Sequence, residues 1–351
     1  MNQNPLGGFA EATDLTRAGR LGEATALIQR LLRGGTSEPE PTGAPHERGR
    51  LQRFLDGLLR RAPAAPPAGR PMTSAHFSGA AGSRAYRLYV PSRAGERPLP
   101  LLVMLHGCTQ NPEDFAAGTR MNEVAEAQGG LVAWPEQDKR ANAQRCWNWF
   151  QPGDQIRDRG EPAILAGIVR QIMTGQRVDP ARVYVAGLSA GGAQAAIMAA
   201  AYPDLFAAVG VHSGLACGAA RDLPSALAAM RNGPVGLARG TGPHLPTILF
   251  HGDGDHTVNP ANANALEAQA LAGQEGLRTA IEDGRSAGGL TWRRTCHRDA
   301  NDRAVLEHWT VHGAGHAWSG GSPDGSFTEP RGPDASREML RFFLSTTGTR
   351  G

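Results

Sequence analysis

The sequence predicts an α/β fold, a mainly parallel sheet with helices on both faces, and three observations predict it. Apolar runs of strand length recur between residues 83 and 312 and alternate with stretches of helical periodicity. The clearest of them, 101–105, is apolar without a break, as a strand buried on both faces must be. The turn Gly187-Leu188-Ser189-Ala190-Gly191-Gly192 joins Arg182-Val183-Tyr184-Val185-Ala186, with its β-branched Val183 and Val185, to the alanine-rich run 193–201, so a strand enters a helix through a sharp bend.

Taken in order, residues 83–90 alternate as a half-buried strand does, and Pro91 stops them. Two continuous apolar runs follow, 101–105 and 130–135, the second holding Leu131, Val132, Ala133 and Trp134. Residues 162–175 put Ile164, Leu165, Ile168, Val169 and Ile172 on one helical face. The strand 183–186 and the helix 193–201 flank the bend, and 207–212, 246–251 and 307–312 complete the strands before a closing helix at 336–344. Between two of these strands, 218–243 carries Leu223, Leu227 and Met230, enough for a helical cover near the site. Ahead of the sheet, 9–33 and 51–61 read as amphipathic helices separated by Pro/Gly-rich linkers at 34–48 and 62–71. The expected organisation is a helical N-terminal arm with linkers over 1–73, the main α/β domain over 74–345 and a tail over 346–351.

Composition narrows the function classes. Of 351 residues 40% are hydrophobic and 20% charged, which suits a globular chain. The formal charge of +3 is spread along the sequence, so no nucleic-acid partner is expected. No apolar run is long enough to span a membrane. Residues 1–10 show no basic segment followed by an apolar one, so no signal peptide is expected and a cytoplasmic location is the default. Cys108, Cys146, Cys217 and Cys296 are too widely spaced for a zinc pattern, and no metal is expected. Two disulfides and four buried thiols are both compatible with them.

The chemistry gathers at the bend. A serine hydroxyl attacks only when a base removes its proton, and the base needs a carboxylate to orient it. Ser189, in Gly-x-Ser-x-Gly, is the expected nucleophile. The acid is Asp255, in His251-Gly252-Asp253-Gly254-Asp255-His256, with Asp253 as the competitor. The base is His316, in Gly313-Ala314-Gly315-His316-Ala317-Trp318, where small neighbours free the imidazole to reach across. His308 and His312 read as structural, and His106, His212 and His251 as hydrogen-bonded turn residues. An oxyanion needs backbone N–H donors already in place. Ala190, next to the nucleophile, supplies one, and Cys108, in the loop after 101–105, the other. Trp147 and Trp149 form an aromatic cluster that either lines a substrate pocket or belongs to a satellite core, and Trp318 is placed to wall the same cleft.

Four stretches together resemble the polyhydroxybutyrate-depolymerase family of esterases, to whose wider group feruloyl and acetylxylan esterases belong. They are His106-Gly107-Cys108-Thr109-Gln110, Cys146-Trp147-Asn148-Trp149-Phe150, the bend at 187–192 and Gly313-Ala314-Gly315-His316-Ala317-Trp318-Ser319-Gly320-Gly321. The resemblance covers about residues 75–345. It implies an α/β-hydrolase fold, no cofactor, an ester as the partner molecule, and Ser189, Asp255 and His316 as triad with Cys108 as oxyanion donor. It also implies an extracellular setting, whereas a leader and a polymer-binding module after the catalytic domain, usual in secreted members, are not expected in this sequence. Poly(3-hydroxybutyrate) or its oligomers are the expected substrates, and a feruloyl/acetylxylan-type or general short-chain carboxylesterase is the alternative. A peptidase or acyltransferase would use the same acyl-enzyme, and product analysis separates them. A binding protein without catalysis would fail to react with a fluorophosphonate.

Overall fold

A computed structural model describes residues 71–92, 94–95, 97–236 and 245–346. The expected helical arm and all but the last residue of its second linker lie outside the described residues, as do 347–351 of the tail. Ten strands form one sheet: β1 Thr73–Gly79, β2 Gly82–Tyr89, β3 Leu99–Leu105, β4 Leu131–Pro135, β5 Val178–Leu188, β6 Ala208–His212, β7 Thr247–Gly252, β8 Arg278–Arg285, β9 Thr291–Arg298 and β10 Ala304–Val311. Their order is β1-β2-β4-β3-β5-β6-β7-β10-β9-β8. The six strands from β4 to β10 run parallel, and the outer pairs β1-β2 and β8-β9 join antiparallel. A two-residue ladder, β11 Trp318–Ser319 with β12 Thr328–Glu329, stands apart from the sheet.

The helices are α1 Pro112–Thr119, α2 Met121–Gln128, α3 Gly160–Gly175, α4 Ala190–Ala201, α5 Leu223–Asn232, α6 Ala261–Ala270 and α7 Ala335–Ser345. The unbroken apolar strands are explained by two cores. Leu101, Val103 and Leu105 of β3, with Val183 and Val185 of β5, point into one, closed by Ile164, Ile168 and Ile172 of α3 and the alanines of α4. Leu102 and Met104, with Tyr184, Ala186 and Leu188, point into the other, closed by Phe115 of α1, Met121 of α2 and Met339, Phe342 and Phe343 of α7. A period of two therefore serves both faces, and neither face can be polar.

Every strand read from the sequence is present. The elements not read in advance are β1, α1, α2, α6, the β8-β9 hairpin and the short β11-β12 ladder. Nearly every side chain of β8 faces solvent, so no apolar alternation marks it. For α1 a signal existed: Asn111 caps the helix by accepting from the Asp114 N–H at 2.8 Å, with Pro112 at the first position and two acids in the first turn.

Parallel register brings the carboxyl ends of β3, β5, β6, β7 and β10 to one edge. Leu105 pairs with Gly187, Leu188 with His212, His212 with Phe250, and Val311 with Gly252. The loops that follow carry Cys108, Ser189, Asp255 and His316, the edge at which open α/β sheets bind ligands.

The bend itself is held by close approach. A Cβ on Gly191 would stand 2.0 Å from the Leu105 carbonyl oxygen, and one on Gly187 would stand 2.3 Å from that of Gly191. Gly191→Ala would force backbone against backbone, so a loss of about 3 kcal/mol or more in urea unfolding is expected, together with loss of any Ser189 reactivity. A variant of unchanged stability would mean that strand and helix do not meet as described.

Candidate active site

Ser189 lies between β5 and α4 with φ 57° and ψ −120°. A non-glycine residue held there costs about 1–3 kcal/mol, so the surroundings must over-determine it. They do so with two backbone bonds, Ser189 N–H to His212 O at 2.9 Å and Ala193 N–H to Ser189 O at 2.9 Å, and with the glycine contacts above. The strain lifts a half-buried Oγ clear of the strand it follows.

Asp255 is buried in the loop after β7. Its Oδ1 accepts from the N–H groups of Thr257 and Val258, both at 2.8 Å. Its Oδ2 lies 2.7 Å from His316 Nδ1 and 3.4 Å from His251 Nε2. Burial alone would raise the carboxyl, but the neighbouring imidazoles of His251 and His316 and the Val258 amide outweigh it and hold the group far below the usual carboxylate range. His251 is held in turn, because its Nε2–H donates to Val258 O at 2.8 Å.

The competitor, Asp253, has a different partner. Its Oδ2 lies 2.8 Å from His312 Nδ1 and its Oδ1 accepts from Gly313 N–H at 2.7 Å, both on the exposed side of the loop. The two acids thus sort onto two histidines, and His316 takes the buried one. His308 pairs with Glu267 at 2.6 Å, well outside this set.

His212 couples the elbow to the His316 loop. Its carbonyl accepts from Ser189, and its Nε2 accepts from Ser319 N–H at 2.9 Å. Its ring stacks on Trp318 at 5.0 Å and on Phe250 at 5.7 Å. Burial pushes its pKa well below the ordinary value, which keeps Nε2 free to accept. As a buried, hydrogen-bonded residue it matches the structural role read for it, and its partners are ones that no local pattern marks.

The loop after β3 rests against the nucleophile, since a Cβ on Gly107 would stand 3.6 Å from Ser189 Cβ. Gly107 N–H is taken by Gln110 Oε1 at 2.9 Å and Thr109 N–H by Gln144 O at 2.6 Å. Between them, no acceptor among the described residues takes the N–H of Cys108. The N–H of Ala190 opens α4, where helix geometry leaves amides without partners. Gln110 also donates to Asp114 Oδ2 at 3.0 Å and to Ser326 O at 3.1 Å, tying this loop to the segment before β12.

Cys108 and Cys146 form a disulfide, while Cys217 and Cys296 are buried thiols, so one pair of cysteines takes each of the two expected states. Burial pushes the Cys217 thiol up to about 12, which makes it inert.

The tryptophans need correction. Trp147, Trp149 and Trp318 are 0%, 5% and 1% exposed, so none offers a face to a ligand. Trp147 and Trp149 belong to the core beneath the Cys146 loop, and Trp318 to the core on the opposite face of the sheet. Two of the indoles are used structurally: Trp147 Nε1–H donates to His106 O at 3.0 Å and Trp318 Nε1–H to Ser336 Oγ at 3.0 Å. Aromatic residues between polar loops resemble a pocket lining in sequence, but burial takes them because each ring removes a large apolar area from water.

The sequence analysis gave His106 only a turn role, gave Gln110 no role of its own and passed over Gln137. Their shared signal is position: two follow β3 and the third follows β4, at the edge where the site forms. Among the described residues no helix is long and apolar enough to cross a membrane.

Comparison with known proteins bears on the same residues. A family model described as esterase PHB depolymerase matches residues 84–290, a span that holds Cys108, Ser189 and Asp255 and stops short of His316. A poly(3-hydroxyalkanoate) depolymerase C of Paucimonas lemoignei is 34% identical over 229 residues, 62% of this chain and 54% of its own length. A putative esterase, NocK, of Nocardia uniformis subsp. tsuyamanensis is 31% identical over 269 residues, 68% of this chain and 72% of its own. The chain therefore spans about half the length of the first relative. Among solved structures, an acetyl xylan esterase from Aspergillus awamori superposes with a TM-score of 0.61 at 19% identity, over 78% of this chain and 99% of its own. That likeness is one of fold, and the fold is the α/β-hydrolase fold that the sequence led one to expect.

Proposed function

We propose, from the premise that this chain belongs to the esterase PHB depolymerase family, that it hydrolyses carboxylic esters through an acyl-enzyme on Ser189, with poly(3-hydroxybutyrate) or its oligomers as substrate. Ser189 Oγ attacks the ester carbonyl as His316 Nε2 takes its proton. The imidazolium then formed is stabilised at Nδ1 by Asp255. The tetrahedral oxyanion is met by the N–H groups of Ala190 and Cys108. His316 returns the proton to the leaving alcohol, and a water activated by the same imidazole releases the acid.

The observation that carries this reading is the His316 Nδ1–Asp255 Oδ2 bond of 2.7 Å, made to a carboxylate already fixed by two backbone amides. Such a carboxylate keeps the proton of a neutral His316 on Nδ1 and leaves Nε2 as the base. The edge-to-edge register that brings the Ser189 and His316 loops together supports the rest. The relative named as a depolymerase supports the choice of substrate.

The test is a substrate panel: nitrophenyl esters from acetyl to long chain, 3-hydroxybutyrate oligomers, amorphous polymer, methyl ferulate and acetylated xylan. Highest kcat/KM on the hydroxybutyrate substrates is the expected result. Preference for ferulate or acetylated xylan would keep the mechanism and move the chain to the plant-cell-wall branch of these esterases. Absence of hydrolysis across the panel would sink the reading. An oxidising, extracytoplasmic setting is part of the proposal, supported by the Cys108–Cys146 bond. Alkylation of both thiols in unreduced protein from its native source would contradict that setting.

A further inference from the structure

We propose that His106 is a positioning residue of the oxyanion hole, its imidazole holding and polarising the peptide unit whose N–H meets the oxyanion. The inference rests on the reading of Cys108 N–H as an oxyanion donor. The carbonyl of Gly107 and the N–H of Cys108 are two ends of one planar peptide, so whatever fixes the first aims the second.

His106 Nδ1 lies 2.8 Å from Gly107 O, and a carbonyl oxygen only accepts, so Nδ1 carries the proton. His106 Nε2 lies 3.1 Å from the backbone nitrogen of Gln137, and a backbone N–H only donates, so Nε2 is bare. Both contacts demand the same neutral tautomer. The ring is fully buried, and burial, the largest influence on it, lowers its pKa to about 4, so that tautomer persists through the neutral range. A hydrogen bond to an amide oxygen draws density toward that oxygen and makes the N–H at the other end a stronger donor. It also restrains the peptide plane, together with the Gln110 N–H, which donates to the same oxygen at 3.3 Å.

The imidazole is itself braced. Gln137 is fully buried; its Oε1 accepts from Arg84 Nε at 2.9 Å, and its Nε2 donates to Cys146 O at 2.8 Å and to Glu161. Cys146 is the disulfide partner of Cys108. One glutamine therefore steadies both the imidazole on the Gly107 side of the peptide and the covalent tether on the Cys108 side. Trp147 Nε1–H on His106 O fixes the chain just before it. A core histidine needs only satisfied partners, and the direction of these partners, from Gln137 through the ring to the peptide that lies against Ser189, is the additional feature.

Two substitutions separate positioning from simple packing. His106→Asn places an amide N–H where Nδ1 stood and loses the acceptor toward Gln137. His106→Gln places an amide oxygen where Nε2 stood and loses the donor toward Gly107. With nitrophenyl butyrate, His106→Gln is expected to lower kcat by about 10–100-fold with KM within about 2-fold, and His106→Asn to stay within about 3-fold of the parent. An alkyl boronic acid, whose Ser189 adduct carries the tetrahedral oxygen, should bind His106→Gln more weakly by the same factor as kcat falls. Equal losses in the two variants, a greater loss in His106→Asn, or a loss carried by KM would overturn the proposal.

Histidine nitrogen NMR of the unmodified protein gives a second reading that does not depend on either variant folding. The signal of His106 should report a protonated Nδ1 and a bare Nε2, and the opposite tautomer would overturn the proposal. Failure of the esterase reading is seen separately, as an unmodified protein without Ser189-dependent hydrolysis, and would remove this role as well.

Discussion

Ser189→Ala is expected to lower ester turnover by about 10⁴–10⁶-fold, to abolish fluorophosphonate labelling and to leave the unfolding midpoint in place or raise it slightly. The size follows from what remains. Without Oγ there is no acyl-enzyme, and the site retains only bound substrate, the amides of Ala190 and Cys108 and a base, which together still exceed water by about 10³–10⁴-fold. The unchanged stability follows from geometry, because the bonds that hold residue 189 are backbone bonds to His212 and Ala193, which alanine keeps. A φ of 57° is as costly for alanine as for serine, so strain does not distinguish the two. Burst kinetics with a nitrophenyl ester, beside a denaturation curve, measures both. A variant that kept a tenth of the activity would remove Ser189 from the mechanism.

Asp255→Asn is expected to lower kcat by about 10⁴-fold, whereas Asp253→Asn should change it by less than about 5-fold. Asparagine at 255 can keep its oxygen toward the amides of Thr257 and Val258, which turns its NH₂ toward His316. Nδ1 must then accept, the proton moves to Nε2, and the imidazole is no longer a base toward Ser189. At 253 the carboxylate serves His312 and Gly313 on the exposed side of the loop, a pair of the kind worth about 0–1 kcal/mol. Because the Asp255 carboxyl is held far below the usual range, the acid limb of the pH–rate profile does not belong to it and should be unmoved in Asp253→Asn. Comparable losses in the two variants would mean that the acids do not divide between His316 and His312 as described.

The sequence by itself determined the fold class, the edge at which the site forms and the residue types that form it. These depend on local properties: the period of apolar residues, strand-length runs, and a glycine-flanked serine between a strand and a helix. Each such property acts within about ten residues, and each survived folding, so β3, β5, β6, β7, β10 and the bend at Ser189 lie where the patterns put them. The β8-β9 hairpin was illegible because β8 is largely exposed, β9 is mostly half-buried and both carry charge on both faces, and burial is what writes a pattern into a strand.

Only the tertiary structure decided partners. The exception is His316: Asp255 was read as its acid ahead of Asp253, two residues away in the same loop, and the structure supplies the reason, Asp255 turning inward onto the amides of Thr257 and Val258. Cys108 and Cys146 are joined because β3 and the loop after β4 end side by side, a fact of strand order and not of spacing. Trp147, Trp149 and Trp318 went into the cores because large rings gain most from leaving water, whatever their nearness in sequence to the catalytic loops. His106 and His212 have unremarkable neighbours in the chain, and their hydrogen bonds reach 31 and 107 residues away, to Gln137 and Ser319. A hydrogen bond depends on positions in space that only the packed sheet fixes, which is why residue type could be read in advance and, the Asp255–His316 pair apart, pairing could not.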